Sequence, residues 1–238
     1  MLIERSTAHA SAITTVSAFT AAELQRLANT PAKKISVIPL GVDRSWPTDA
    51  PPHSEPDGLP YLLFVGNVKP NKNLILLLKA FEQIQAVIPH RLVLAGRMHG
   101  FGSNDEPALN YAGTLGDRVR FTGEISDAEL ISLYAGAAAL VLPSLYEGFG
   151  LPLLEAMQMG CPCLASNVAS LPEVGGDAAL YFDPQSVPSL AERLLQVVDT
   201  ACMESLRIAG RARAAQFSYD SCAEQTAAFL NPLLTGQK

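Results

Sequence analysis

Residues 139–155 read ALVLPSLYEGFGLPLLE, and the order of residue types in that stretch decides how the rest of the chain is read. Ala139–Pro143 is a short apolar run without alternation, the pattern of a strand covered on both faces. Gly148 and Gly150 interrupt it with a turn. A helix follows over Leu151–Met159, with Pro152 in the first turn, where its missing N–H is harmless. Strand, glycine turn and helix in that order put the N–H groups of Phe149, Gly150 and Leu151 at the strand's carboxyl end. The helix dipole lies behind them, and the arrangement suits an anion. Glu147 precedes the turn, and Glu155 lies about one turn inside the helix. On spacing alone, the two carboxylates either face one cleft or are solvated around a purely structural turn.

The same alternation repeats outward from this segment. Tyr61–Val65, Arg91–Ala95, Arg118–Thr122, Pro162–Ser166 and Ala179–Phe182 are further short apolar runs bounded by Gly or Pro. Asn73–Val87 carries Leu76, Leu77, Ala80, Phe81 and Ile84 on one helical stripe, and Ser126 with Glu129 forms a capping box for a helix through Tyr134. The pattern predicts an α/β fold with a doubly wound, Rossmann-like parallel sheet that gathers ligands at the carboxyl ends of its strands. Beyond Pro188 helices dominate, over Leu190–Val198, Glu204–Ala215 and Tyr219–Leu230. Before residue 60, Thr20 and Glu23 suggest a capping box, followed by a strand at Ile35–Ile38, a turn at Gly41 and a Pro-rich polar stretch over Trp46–Pro60. One helix and one strand cannot bury a core alone. Residues 1–45 therefore read as the end of another domain, 46–60 as a linker, 61–218 as the Rossmann-like domain and 219–238 as a closing helical segment.

Composition narrows the function classes. The chain has 238 residues, 48% apolar and 17% charged, which is enough for a core and excludes a disordered or coiled-coil protein. A net charge of −6 argues against nucleic acid as a partner. No apolar run approaches the roughly 20 residues that span a bilayer. Glu4 beside Arg5 makes the N-terminus a poor signal peptide, so a cytoplasmic location is expected. Cys161, Cys163, Cys202 and Cys222 form no CxxC and no Cys/His cluster, and they read as reduced, core or half-buried thiols. His9, His53, His90 and His99 show no metal-ligand spacing and read as structural or exposed, so no metal is expected. There is no G-x-S-x-G, HExxH or Walker lysine, and nothing supplies a base for Ser144.

A second cluster, Gly66-Asn-Val-Lys-Pro-Asn-Lys-Asn73, follows the first complete strand. It is not a GxGxxG, but it places Lys69 and Lys72 in a strand-to-helix loop with Asn73 at the N-cap. A lysine there either neutralises a phosphate as a point charge or is a solvated loop residue. A third, weaker signal is Ala95-Gly96-Arg97, again at a strand end.

Taken together, these pieces resemble the retaining family-4 glycosyltransferases of the GT-B fold. The resemblance rests on the two glutamates of Glu147–Glu155 and, in order, on VSAFTAAEL, ISVIPLGVD, LLFVGNVKPNKNL, RVRFTGEISDAELISLYAGAAALVLPSLYEGFGLPLLEAM, ASNVASLPEVGGDAALYFDP and FSYDSCAEQ. It covers residues 13–230, nearly the whole chain. It implies two Rossmann-like domains facing each other across a cleft, the C-terminal one binding a nucleotide-sugar donor and the N-terminal one most of the acceptor. Glu155 would hold the ribose hydroxyls and Glu147 the donor sugar. Gly148 and the N–H groups of Phe149, Gly150 and Leu151 would lie near sugar and diphosphate. Lys72 would neutralise the leaving diphosphate, Gly66 and Asn67 would lie beside it, and the segment Arg120–Thr122 would lie by the base. No cofactor is implied beyond the donor substrate itself. Transfer with retention by front-face attack is implied, and the PxxKN-type loop with EGFGLP resembles bacterial mannosyl- or related hexosyltransferases of polysaccharide assembly.

Two departures accompany the resemblance. The family commonly has an arginine after the first-loop glycine or before the loop lysine, and here those positions are Asn67 and Asn71. One diphosphate-binding charge is missing unless Lys69 or Arg97 substitutes. The acceptor domain is also expected to precede residue 1, and the helix Tyr219–Leu230 to cross back onto it. Apolar surface near both termini would then invite an N-terminal acceptor-domain chain or self-association, with peripheral membrane contact made through that domain. The first reading is the donor-binding half of a hexosyltransferase. The alternative is a nucleotide-sugar-binding or regulatory subunit without turnover of its own. A dinucleotide-binding Rossmann protein lacks the GxGxxG it would need.

Overall fold

The computed structural model describes residues 2–98, 100 and 105–235, and His99 lies outside them. The chain starts with α1 (Leu2–His9), β1 (Ile13–Thr15), α2 (Ala18–Ala28) and β2 (Ile35–Val37). β1 and β2 pair in parallel, from Ile13 opposite Ile35 to Thr15 opposite Val37. The N-cap of α2 is Ser17 rather than Thr20, and its side chain accepts from the Thr20 N–H. Glu23 turns outward to Arg26 instead of closing a capping box. The Ser17 hydroxyl is buried and has a second partner to satisfy, which is why the cap sits three residues earlier than expected.

Residues 46–60 contain no helix or strand, yet they are packed. Trp46 lies tilted against Tyr134, with centroids 6.3 Å apart. Glu55 is buried and accepts from both Arg120 Nη2 at 2.7 Å and His53 Nε2 at 2.9 Å. Burial alone would raise the Glu55 pKa. The hydrogen bonds from Arg120 and His53 outweigh it and hold the carboxyl below its ordinary range.

The main body follows as β3 (Tyr61–Val65), α3 (Leu74–Ile84), β4 (Arg91–Ala95), α4 (Glu106–Thr114), β5 (Val119–Gly123), α5 (Asp127–Gly136), β6 (Ala139–Leu142), α6 (Leu151–Gln158), β7 (Cys163–Ser166), α7 (Leu171–Gly175), β8 (Leu180–Phe182), α8 (Val187–Leu195), α9 (Thr200–Ala214) and α10 (Tyr219–Thr235). Six strands form one parallel sheet in the order β5-β4-β3-β6-β7-β8. Successive strand residues go to opposite faces. Leu62, Phe64, Leu92, Leu94 and Val141 join one buried cluster with α3, α4 and α8. Tyr61, Leu63, Val93, Leu140 and Leu142 join the other, with α5, α6 and α7. Both faces are thus closed, and each fully buried Leu or Val contributes about 1.5–3 kcal/mol. Cys161 and Cys163, two residues apart, share one face, and all four cysteines are unpaired thiols.

One element went unread in the sequence, and one further expectation needs correcting. Glu106–Thr114 is a helix that the apolar pattern did not reveal, opened by Pro107 near its start and by the Asp105 side chain at its N-cap. Asn73 does precede α3, but its backbone is left-handed at φ 54° and its side chain makes no cap. Its amide instead donates to the Pro143 and Pro184 carbonyls at 3.1 and 2.9 Å, tying the first loop to two others.

The N- and C-terminal segments meet at a short crossing. Val42 bridges Ser218 in parallel, and a Cβ on Gly41 would fall 2.0 Å from the Tyr219 nitrogen, so only glycine fits that crossing. No residue of α10 is buried, and Leu230, Leu233 and Leu234 are exposed.

Candidate active site

Strand order fixes where a ligand would sit. The chain builds β3, β4 and β5 toward one edge and then returns to place β6 on the other side of β3. The loops after β3 and β6 therefore diverge, and the crevice at their carboxyl ends is the switch point at which such sheets bind ligands. Those two loops are Gly66–Asn73 and Pro143–Gly150, the two clusters singled out in the sequence.

The structure stitches them together. The Leu145 N–H donates to the Asn71 carbonyl at 2.8 Å, and Asn71 Nδ2 reaches the Tyr146 carbonyl at 3.4 Å. Lys72 Nζ lies 2.5 Å from Glu147 Oε1, with the two side chains 18% and 14% exposed, so the pair is largely shielded from solvent. The buried Ser144 hydroxyl donates to the same Oε1 at 2.7 Å. Ser144 is thus a support for Glu147. Sequence reasoning noted this serine without finding its partner, which lies only three residues on.

The glycine turn behaves as its composition suggests. Gly150 has φ 102° and caps α6, and the N–H groups of Phe149, Gly150 and Leu151 have no protein acceptor among the described residues. A donor-rich turn at a helix N-terminus favours an anion. The carbonyls of Glu147, Gly148 and Phe149 are engaged. Gly148 O accepts from Ser17 Oγ at 2.7 Å and Thr20 Oγ1 at 3.2 Å. Glu147 O and Phe149 O accept from Ser170 Oγ at 2.9 and 3.0 Å.

Glu155 is placed apart from the lysine–glutamate pair. No hydrogen bond or ion pair joins it to either Glu147 or Lys72 among the described residues; its Oε2 accepts from the Tyr134 hydroxyl at 2.9 Å. Burial raises the Glu155 pKa, the Tyr134 hydrogen bond opposes that shift, and the charge of Asp127 adds to it. Tyr134, which sequence reasoning missed as a site residue, is fully buried and itself pushed well above its ordinary range by burial and by Glu155. The spacing of Ile131, Leu133 and Tyr134 reads as a core stripe, and nothing in it announces a hydroxyl aimed at another helix.

Gly66, Asn67 and Arg97 line a cavity of ≈ 210 Å³ at the ends of β3 and β4, with Gly96, Glu124 and Ile125. Gly96 has φ 139°, and a Cβ there would fall 2.3 Å from Gly66 O, so the two loops touch only because it is glycine. Asn67 Oδ1 accepts from the Arg97 N–H at 3.3 Å. The Arg97 guanidinium pairs with Glu124 at 2.7 Å on the surface, a contact that raises the pKa of Arg97 and lowers that of Glu124. Thr122 lines a neighbouring cavity of ≈ 250 Å³ with His53, Arg120 and Ile125, and its hydroxyl donates to the Gly123 carbonyl at 2.9 Å. Ile125 is common to both cavities. The structure therefore joins Lys72 with Glu147, and Asn67 with Arg97, while Glu155 and Thr122 stand on separate contacts.

Residues 47–214 match the family described as Glycosyl transferases group 1, and residues 1–46 match Glycosyltransferase Family 4. The chain is 38% identical over 228 residues to O-antigen chain mannosyltransferase B of Escherichia coli, covering 90% of this chain and 58% of that one. It superposes on sucrose-phosphate synthase from Thermosynechococcus elongatus with a TM-score of 0.84 and 26% identity, over 99% of this chain and 62% of that one. An Anabaena protein, HepE, solved in complex with UDP and glucose, shares the fold at a TM-score of 0.81 and 22% identity, over 97% of this chain and 65% of that one. The chain thus spans rather more than half the length of these relatives. Among the described residues no helix is long and apolar enough to cross a membrane.

Proposed function

From the premise that this chain belongs to the group 1 glycosyl transferases, we propose that it carries the nucleotide-sugar-binding half of a retaining hexosyltransferase, with mannose as the sugar. The observation that carries this reading is the Lys72–Glu147 pair at the switch point, beside a turn whose N–H groups have no acceptor among the described residues. A diphosphate needs fixed cations and donors, and Lys72 with the N–H groups of Phe149, Gly150 and Leu151 supplies both. Glu147 would hold hydroxyls of the sugar and Glu155 those of the ribose. The base would enter the cavity lined by Thr122.

In the proposed reaction, the acceptor hydroxyl attacks the anomeric carbon from the face the diphosphate leaves. The bond from that carbon to the phosphate oxygen breaks as the new glycosidic bond forms, and the hydroxyl proton passes to the departing phosphate. Stabilisation of the leaving group by preorganised charge and dipoles would be the main catalytic contribution, with no metal required. The acceptor would be held by an acceptor-binding domain across the cleft.

Calorimetric titration with GDP, UDP and ADP, without metal, tests the reading. Binding of one of them names the base, and transfer from the corresponding nucleotide-hexose then distinguishes an enzyme from a binding subunit. Absence of binding by all three would refute the donor site.

A further inference from the structure

The stretch Gly148-Phe149-Gly150 should be among the easiest in the chain to flip. Glycine accepts both signs of φ, so the two peptide planes of this stretch, each bordered by one glycine, can rotate at little cost. Donor N–H groups on such planes would be poorly aimed unless something else fixed them. Here three hydroxyls fix them. In a trans peptide the C=O and the following N–H are antiparallel, so holding one sets the direction of the other. Ser170 shares its single hydroxyl proton between the carbonyls of Glu147 and Phe149, a three-centre contact that orients the N–H groups of Gly148 and Gly150. Ser17 and Thr20 hold the carbonyl of Gly148, which orients the N–H of Phe149.

Two of those hydroxyls come from the segment 1–46, far from the loop in sequence. That segment is itself seated on the main body. Glu173 of α7 accepts the Ala18 and Phe19 N–H groups at 2.8 and 3.1 Å, completing the N-terminus of α2 with a carboxylate. Phe19 packs edge-on against Tyr146, the residue before Glu147, with centroids 5.2 Å apart. Ser17 and Ser170 have no solvent exposure, so their hydroxyls are committed to these partners.

We propose that Ser17, Thr20 and Ser170 form a clasp that locks the peptide planes of residues 147–150. On this view the N-terminal segment is a positioning part of the donor site as well as a connection to it. The proposal rests on the reading of this loop as the diphosphate site. These residues touch only backbone carbonyls, and they act on the donor through the N–H groups on the other side of the same peptides.

The test uses the full chain and compares binding of a nucleoside diphosphate with binding of the same nucleoside, for whichever of GDP, UDP and ADP binds. Ser17→Ala combined with Thr20→Val should weaken the diphosphate by about tenfold, the effect of one misdirected hydrogen bond to a charged group, and leave the nucleoside within about twofold. Thr20→Ser keeps the hydroxyl and should bind both ligands as the parent does. If the double variant fails to fold, Thr20→Val against Thr20→Ser gives the same comparison with a smaller expected loss of about threefold. Equal losses for diphosphate and nucleoside, or no loss for either, would overturn the clasp. A parent chain that binds the diphosphate no better than the nucleoside would overturn the donor reading itself, a result separate from any effect of the variants.

Discussion

Glu155→Gln should move affinity and stability in opposite directions. In the structure Tyr134 occupies Oε2 of Glu155, and the carboxylate retains accepting capacity for two ribose hydroxyls. Glutamine keeps one oxygen for accepting but loses the charge. Hydrogen bonds to a charged group are worth about 1.5–3 kcal/mol and neutral ones about 0.5–1.5 kcal/mol, so the exchange costs about 1 kcal/mol per ribose contact. Two contacts give about 2 kcal/mol, or about 30-fold weaker nucleotide binding. Stability should change the other way. Burial raises the Glu155 pKa above its ordinary 4.5, so the folded protein holds this proton more tightly than the unfolded chain. The associated stabilisation is complete below 4.5 and is lost as pH rises through the raised value, above which the buried carboxylate carries an unfavourable charge. Glutamine removes that penalty. Thermal melts across pH 4–8 should show Glu155→Gln more stable than the parent at neutral pH, with the advantage shrinking toward pH 4. Calorimetry on the same samples reads the affinity. Unchanged nucleotide affinity would refute the ribose role, and a variant less stable than the parent at pH 7 would refute the account of the buried charge.

Lys72→Ala should weaken a nucleoside diphosphate by about 10- to 100-fold, the range for one hydrogen bond to a charged group, and weaken the nucleoside far less. Parallel titrations with the two ligands check it, and equal losses would remove the lysine from the phosphate. Gly66→Ala and Gly96→Ala form a matched pair, because both backbones lie at positive φ, 148° and 139°. Each should cost about 1–3 kcal/mol of backbone strain. Only Gly96→Ala adds a clash with backbone, since a Cβ on Gly66 meets nothing closer than 3.6 Å. The extra cost of about 1–3 kcal/mol should lower its melting temperature by about 2–10 °C relative to Gly66→Ala, and equal melting temperatures would refute the close approach of the two loops.

How far the sequence disclosed all this depends on the range of each signal. β3 and β4 have the limits their apolar runs predict, because a strand buried on both faces has no other residue pattern open to it. Ser126 with Glu129 caps α5 as expected, since both halves of that device are local. Thr20 misled for the opposite reason. Its spacing to Glu23 satisfied the local rule, but Ser17 won because it also bonds Gly148, whose position only the folded chain reveals. α4 escaped because Ala108 and Ala112 are the only buried residues of a helix that carries little apolar contrast. In the site, residue types and spacing pointed to both loops, and they could not show that Lys72 and Glu147 meet. Nor could they show that Tyr134, Ser144 and Ser170 serve as supports, because a buried hydroxyl in an apolar stretch looks the same whether its partner is near or far in sequence.

The Lys72–Glu147 contact raises a question of competition, since a diphosphate and Glu147 would both claim the same ammonium. A lysine withdrawn from a shielded carboxylate normally leaves behind an unpaired charge, and that is the expensive part of breaking such a pair. Ser144 changes the balance here. It donates to the very oxygen that Lys72 bonds, so Glu147 keeps one hydrogen bond when the lysine turns away. In the proposed complex the sugar hydroxyls would supply the rest. The ligand then exchanges partners within a set of three groups without stranding any of them. The pair fixes both side chains in advance of any such ligand, so most of the ordering cost of Lys72 would be met during folding. Asn67 and Asn71 fit the same logic. With one flanking position neutral and the other tied to the Tyr146 carbonyl, the diphosphate would depend more heavily on Lys72 and on the N–H groups of the Gly148–Gly150 turn. A binding site so reliant on backbone donors is one in which the peptide planes must be held, and the hydroxyls of Ser17, Thr20 and Ser170 are placed to hold them.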